Sequence, residues 1–132
     1  MGQSHYLHMN PKTILLVEDD KFLSSLLKTR LEKENIKVIH AEDGEAALEI
    51  LKTLTPDLIL LDLILPKKMG FEVMEILQQN PLLKRGPVVI ISNLGQDADV
   101  AKGRALGAID YFIKAQTSID DLISKIKNFI GI

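Results

Sequence analysis

Residues 13–20, TILLVEDD, decide how this chain folds, because a short apolar run there ends in three consecutive carboxylates. Short runs rich in Val, Ile and Leu are typical of strands that are buried on both faces of a parallel sheet. After the first run, Thr13–Val17, the same pattern returns at Ile36–Ala41, Asp57–Leu61, Val88–Ser92 and Ala108–Ile113. We therefore predict five parallel strands, with the three acids at the carboxyl end of the first.

The segments between these strands carry apolar residues at helical spacing, which predicts five helices, at Lys21–Glu34, Glu45–Leu54, Phe71–Gln79, Asp97–Leu106 and Ser118–Ile130. Asp20 and Ser118 are predicted to cap the first and last of them. Pro56 is expected to stop the second helix and Gly107 to end the fourth. Because strands and helices alternate through short connections, we expect a doubly wound α/β fold, an open parallel sheet between two layers of helices.

Length and composition limit what the chain can be. Its 132 residues suit one domain, and a net charge of −2 gives no support for direct nucleic-acid binding. The lack of cysteine excludes disulfides and thiol sites and fits a cytoplasmic protein. The longest apolar stretch, Leu58–Pro66, is too short to cross a membrane. Residues 1–11, with a second methionine at position 9, are expected to be an expression leader before a domain at 12–132.

Polar side chains also end the later strands: Asp62 follows the third, Ser92 closes the fourth and Lys114 follows the fifth. The carboxyl ends of parallel strands share one edge of the sheet, where ligands bind. With Asp19, these residues would supply oxygen ligands for Mg²⁺ or Mn²⁺ and a carboxylate that can attack a phosphoryl group. The hydroxyl and the ammonium can hold phosphoryl oxygens. The pattern indicates a site for a divalent cation and a phosphoryl group.

Taken together, four motifs make the chain resemble the receiver domains of two-component response regulators, of the chemotaxis-regulator type. The motifs are Glu18-Asp19-Asp20, Asp62-Leu-Ile-Leu-Pro66 followed by Gly70, Ser92 at the end of the fourth strand, and Tyr111-Phe-Ile-Lys114. The resemblance covers nearly all of Lys12–Ile132. It implies a flavodoxin-like (βα)5 doubly wound parallel sheet with the strand order 2-1-3-4-5.

The resemblance also implies a role for each residue. Asp62 would accept a phosphoryl group from a histidine kinase or a histidine phosphotransfer protein, and Ser92 and Lys114 would hold that group. The metal would be bound by Asp19, Asp62, the backbone carbonyl of Ile64 and, through water, Glu18. We therefore expect self-catalysed phosphorylation and dephosphorylation of Asp62 and no independent metabolic activity.

A switch is implied as well. Ser92 would move toward the phosphoryl group while Tyr111 rotates inward behind it. This change would alter a surface formed by the fourth helix (α4, Asp97–Leu106), the fifth strand (β5) and the fifth helix (α5, Ser118–Ile130). A downstream protein target would dock on this α4-β5-α5 face, and the chain would be a monomer or a weak homodimer. Whether the chain acts alone or belongs to a longer regulator stays open.

The chain departs from the family pattern in three places. Ala115 replaces the proline that usually follows the lysine through a cis bond, and a cis bond before Ala would cost about 2.5–4 kcal/mol. Either that strain is retained, or the loop Ala115–Thr117 runs differently and Lys114 is less firmly aimed. Ile64 and Leu94 flank the path of the hydrolytic water in this family, and apolar groups cannot orient that water, so we predict a long-lived aspartyl phosphate.

The third departure is Met69, at a position that is often acidic in the family, behind Lys67 and Lys68. The added positive charge would either steer an acidic partner or simply be solvated.

Three other functions compete with the signalling switch. The chain could be a phosphorylation-independent interaction module, for which Ala115 leaves some room. An aspartyl-phosphate phosphatase would need an acid or base two residues after Asp62, where Ile64 stands, and the alternative base His40 falls on an outer strand. A nucleotide-binding protein would have glycines and backbone amides where Glu18-Asp19-Asp20 repels phosphate.

Overall fold

The sheet of this protein has five parallel strands in the order β2-β1-β3-β4-β5, which confirms the predicted flavodoxin-like topology. The strands are β1 (Thr13–Val17), β2 (Lys37–Ala41), β3 (Leu58–Leu61), β4 (Val88–Ser92) and β5 (Ala108–Ile113). The structure is a computed structural model that describes residues 11–81, 83 and 85–132. The expected leader, residues 1–11, lies outside the described residues except for Pro11.

Five helices cover the sheet, and a short 3₁₀ turn, Lys114–Gln116, follows β5. The helices are α1 (Lys21–Lys33), α2 (Gly44–Leu51), α3 (Gly70–Gln79), α4 (Asp97–Ala105) and α5 (Ile119–Ile130). Alternate residues of the central strands point to opposite faces, as the pleat requires. Thus Ile14 and Leu16 pack against α1 and α5, whereas Leu15 and Val17 pack against α2 and α3. Among these helices none has the length and the apolar character needed to span a membrane.

The second helix ends three residues earlier than the sequence predicted, at Leu51 instead of Leu54. The amides of Lys52 and Thr53 bond to the carbonyls three residues back, at 3.2 and 3.1 Å. This tightening of the last turn ends the helix before Pro56 can do so. The other helix and strand boundaries differ from the prediction by no more than one residue.

The predicted caps are present at the ends of three helices. The Asp20 carboxylate accepts from the amide of Leu23 at 3.0 Å, and the Ser118 hydroxyl accepts from the amide of Asp121 at 3.1 Å. Gly107 follows α4 with φ of +106°, a left-handed conformation that glycine adopts without steric cost. These caps fix where α1 and α5 begin, and therefore where the loops at the carboxyl edge of the sheet lie.

The cap at Ser118 leads to a stability prediction. Ser118→Ala removes the acceptor for an amide of the first turn of α5 and should lower the free energy of unfolding by about 1 kcal/mol. Urea unfolding followed by circular dichroism measures the change. Ser124→Ala, at an exposed position in the middle of the same helix, is the matched control and should leave stability unchanged or slightly higher. Equal stabilities of the two variants would contradict this role.

Candidate functional site

The site lies at the carboxyl edge of the sheet, where β1 and β3 run side by side with Val17 opposite Leu61. This register brings the next residues of both strands together, and the Asp62 amide donates to the Val17 carbonyl at 3.0 Å. Carboxylate oxygens of Glu18, Asp19 and Asp62 lie within 4.8 Å of one another. Glu18 and Asp62 are buried, whereas Asp19 is exposed to solvent.

Lys114, which follows the edge strand β5, completes this cluster. Its Nζ lies 2.7 Å from Glu18 Oε1 and 2.9 Å from Asp62 Oδ2. The peptide bond between Lys114 and Ala115 is trans, and the chain continues in the 3₁₀ turn. Ala115 left two alternatives open, a retained cis bond or a different loop with a less firmly aimed Lys114. The structure has the different loop. The expectation that Lys114 would be less firmly aimed is wrong, because its ammonium contacts both buried carboxylates.

The Asp62 carboxylate is held at both of its oxygens. Oδ1 accepts from the amides of Leu63 and Ile64, at 2.7 and 3.3 Å, while Oδ2 accepts from Lys114 Nζ. Gly70 begins α3 directly against this segment, since a Cβ at that position would lie 2.5 Å from the Asp62 carbonyl oxygen. The glycine therefore permits the close approach that shapes the loop after Asp62.

Burial and charge act on the two most enclosed ionisable groups. Burial raises the pKa of Glu18 to about 7, with repulsion from Asp62 adding to it, while Lys114 and the Asp20 amide act to lower that pKa. Burial acts to lower the pKa of Lys114, but its bonds to Glu18 and Asp62 outweigh it, so that pKa is raised. Three carboxylates thus face one ammonium, and the cluster keeps an excess of negative charge.

The donor set suits a hard divalent cation. All three side chains offer oxygen, the ligand atom that Mg²⁺ and Mn²⁺ prefer. Glu18 Oε1 is buried and has no well-oriented hydrogen bond from the described residues, although it is ion-paired with Lys114. A buried acceptor of this kind, beside two more carboxylates, fits a site that a cation or its water would complete.

Ser92 and Tyr111 meet at the backbone of Leu94. The buried Ser92 Oγ accepts from the Leu94 amide at 3.3 Å, and the Tyr111 hydroxyl donates to the Leu94 carbonyl. The tyrosine ring is turned inward and is only 8% exposed. Burial, helped by the charges of Asp99 and Asp62, raises the pKa of Tyr111. The sequence did not predict that the backbone of Leu94 contacts both Ser92 and Tyr111, because backbone hydrogen bonds do not depend on the residue type.

His40 makes a second contact with the site that the sequence did not predict. It lies on β2, an outer strand as expected, but its Nε2 is 2.7 Å from the Glu18 carbonyl oxygen. The register that pairs Leu16 with His40 explains this contact, because it places the imidazole beside the residue that follows β1. His40 therefore supports the backbone of the acidic loop.

The residues at which the chain departs from the receiver pattern lie in the loops after β3 and β4 and in the turn after β5. Ile64 is 47% exposed, while Leu94 is partly buried against the core. Lys67 has a positive φ of 65° and its Nζ lies 3.7 Å from Asp43 Oδ2, so part of its charge is matched within the chain. Met69 is 43% exposed at the start of α3.

The raised pKa of Glu18 predicts how stability depends on pH when metal is removed. Between pH 4.5 and about 7 the folded protein keeps a proton that the unfolded chain has lost. The free energy of unfolding should therefore fall as pH rises through this range, by at most about 1.4 kcal/mol per pH unit. Urea unfolding in EDTA at a series of pH values measures this slope.

Glu18→Gln should remove most of this slope, since the glutamine does not titrate. Glu75→Gln, at an exposed position on α3, is the control and should keep the slope of the parent protein. An equal slope in the parent and in Glu18→Gln would contradict the assignment.

Comparison with known proteins agrees with this geometry. The family described as the response regulator receiver domain matches residues 14–127. The transcriptional regulatory protein CpxR of Escherichia coli is 45% identical over 101 residues, which are 76% of this chain and 42% of CpxR. The chain thus spans less than half the length of that relative.

Solved structures share the fold. The receiver domain of the Francisella response regulator 1452 has a TM-score of 0.83 and 31% identity, with 92% of this chain and 98% of that chain covered. The Mn²⁺-bound form of response regulator Rcp1 has a TM-score of 0.75 and 38% identity, with 89% and 91% covered. Both the sequence match and the architecture lead to the same conclusion: this chain belongs to the receiver-domain family of two-component response regulators.

Proposed function

We propose that this receiver domain transfers a phosphoryl group from a phosphohistidine on a histidine kinase or a histidine phosphotransfer protein to Asp62. The observation that carries the proposal is the contact of Lys114 Nζ with Asp62 Oδ2, at 2.9 Å inside a buried acidic cluster. Receiver domains of response regulators interact with histidine kinases, and this chain matches that family over 14–127. The chain's own residues supply the positioning and the charge that the transfer requires.

The transfer itself needs one nucleophilic oxygen and a fixed direction of approach. The amides of Leu63 and Ile64 hold Asp62 Oδ1, so Oδ2 is the oxygen that attacks phosphorus. The new bond joins phosphorus to this oxygen, while the bond from phosphorus to the donor imidazole breaks and the imidazole keeps the electron pair. Lys114 then neutralises charge on the transferred oxygens, and the Ser92 hydroxyl donates to one of them.

Asp19 and Asp62, with the Ile64 carbonyl and with Glu18 acting through water, would hold Mg²⁺ or Mn²⁺. When bound, the cation would neutralise part of the charge of the phosphoryl oxygens. The all-oxygen donor set and the buried Glu18 Oε1 support this assignment, as does the Mn²⁺ of the related regulator Rcp1. Glu18 also orients Lys114, which contacts it at 2.7 Å.

The signal would leave the site through Ser92 and Tyr111. Both contact the backbone of Leu94, so a movement of Ser92 toward a phosphoryl oxygen changes the position of the carbonyl that holds the tyrosine. Tyr111 lies on β5 and packs beside α4, so its inward position alters the α4-β5-α5 face. A downstream protein target would recognise that face.

Phosphorylation by a small donor tests the proposal. With acetyl phosphate and Mg²⁺, the protein should gain the mass of one phosphoryl group, whereas Asp62→Asn and samples in EDTA should not. Intact-protein mass spectrometry measures the gain. Asp57→Asn changes an exposed carboxylate at the amino end of the same strand and should be phosphorylated like the parent protein. No mass gain in the parent protein would instead favour a phosphorylation-independent interaction module.

The apolar residues near Asp62 lead to a prediction about lifetime. Neither the exposed Ile64 nor the partly buried Leu94 can orient a water for attack on the aspartyl phosphate. Ile64→Asn combined with Leu94→Glu should therefore accelerate dephosphorylation by about tenfold or more. The decay of the phosphorylated fraction, after the donor has been removed, measures this rate.

Met69→Gln is the matched control, because it adds a polar side chain at an exposed position in the loop after β3 that is neither of the two motif positions. It should decay at the parent rate. If the double variant loses its phosphoryl group no faster than the parent protein, the two apolar residues do not set the lifetime.

A further inference from the structure

The fourth helix buries fewer residues than the other described helices. Gly103 is the one buried residue of α4, whereas each of the other four described α-helices buries three or four residues. Val100 and Leu106 are only partly buried against the core. Position 103 therefore sets how closely α4 can approach β4 and β5.

No backbone requirement explains a glycine at position 103. Its φ is not positive, unlike that of Gly107, and a glycine inside a helix is less favourable than alanine by about 1 kcal/mol. The reason lies in the packing. A Cβ at position 103 would lie 2.6 Å from Ile90 Cδ1 and 3.2 and 3.3 Å from two ring carbons of Tyr111. The inward tyrosine ring occupies part of the space that a side chain on α4 would need.

The other end of the same ring leads back to the phosphorylation site. Its hydroxyl donates to the Leu94 carbonyl, and the Leu94 amide donates to Ser92 Oγ. A continuous series of contacts therefore joins Gly103 to the Ser92 hydroxyl through Tyr111 and the backbone of Leu94. A change of the free space beside α4 therefore acts on this ring as well as on Ile90.

We propose that Gly103 is a positioning residue for the switch, because its missing side chain admits Tyr111 to the inward position. A methyl group added at 103 would press hardest on Ile90 Cδ1, the end of a flexible side chain, and would also crowd the Tyr111 ring. Ile90 is fully buried on a central strand, and its displacement would disturb packed neighbours on every side. Tyr111 lies on the edge strand β5 and can turn toward solvent. Ile90 Cδ1 must turn in either case, and the ring then yields as well, by turning or by being uncovered as α4 moves outward.

The chain is well suited to a direct test, because it contains no tryptophan and only two tyrosines, Tyr6 and Tyr111. In a Tyr6→Phe background the fluorescence of Tyr111 alone can be quenched with acrylamide. Gly103→Ala should raise the quenching constant about twofold or more as the inward population falls. An unchanged quenching constant would overturn the proposal, since it would mean that a turn of Ile90 Cδ1 alone had made room for the methyl group.

Two companion variants separate packing from helix stability. Gly103→Ala with Ala105→Gly keeps the composition of α4 and moves one methyl group from an exposed position to the buried one. It should be quenched like Gly103→Ala, while Ala105→Gly alone should behave like the parent protein. If only helix propensity mattered, the compensated variant would return to the parent value, and the proposal would fail.

A second pair covers the case in which the added methyl group prevents folding. Ile90→Val removes Cδ1, the atom nearest to the new Cβ, and leaves Tyr111 as the close neighbour. Gly103→Ala in this background should still raise the quenching constant about twofold or more relative to Ile90→Val alone. Equal values in the two proteins would overturn the proposal.

The final arm concerns coupling to the site, and this part rests on the proposed function. In the Tyr6→Phe background, acetyl phosphate with Mg²⁺ should lower the quenching constant of Tyr111 in the parent protein. Gly103→Ala should gain the phosphoryl mass at the parent rate but keep its ring accessible. A phosphorylated Gly103→Ala protein whose ring becomes as protected as that of the parent would contradict the coupling. If the parent itself gains no phosphoryl mass, the proposed function fails while the quenching of the unphosphorylated variants still decides the role of Gly103.

Discussion

The contact of one ammonium with two buried carboxylates is the constraint on which the rest of the structure depends. Lys114 reaches Glu18 and Asp62 from β5, which lies two strand spacings, about 10 Å, from β3. Transferring a carboxylate from water to the protein interior costs free energy unless a positive charge is paired with it. The strand order is therefore tied to the chemistry, because the residues that end β1, β3 and β5 must all reach one edge of the sheet.

The single ammonium leaves the site short of positive charge, and the proposed function depends on this shortage. One ammonium cannot balance three carboxylates, so the metal-free site is poor for stability and suits the divalent cation and the phosphoryl group of the proposed function. The hydrophobic cores on both faces of the sheet offset the unfavourable charge of the site. Leu15, Leu16, Leu60 and Ile90 are fully buried there and carry the stability that the site lacks.

Much of the fold could be predicted from the sequence because its signals are local. Both ends of β1, β4 and β5, the caps at Asp20 and Ser118 and the end of α4 at Gly107 follow from residue type alone. The end of α2 was not predictable, since a tightened last turn decided it before Pro56. At the site, the side chains could be named from strand ends, but the contacts of Leu94 and His40 pass through backbone atoms, which leave no pattern in the sequence.

The two helices of the α4-β5-α5 face differ in how many buried residues hold them to the sheet. The fifth helix buries Leu122, Ile123, Ile126 and Ile130 against the core that it shares with α1. Its exposed ion pair Arg30–Asp120 adds little to this packing, as is usual for solvated pairs. The fourth helix has only Gly103 at comparable depth, against a ring that can turn. In the proposed switch, a displacement that starts at Ser92 would therefore change the face mainly at α4, while α5 stays fixed.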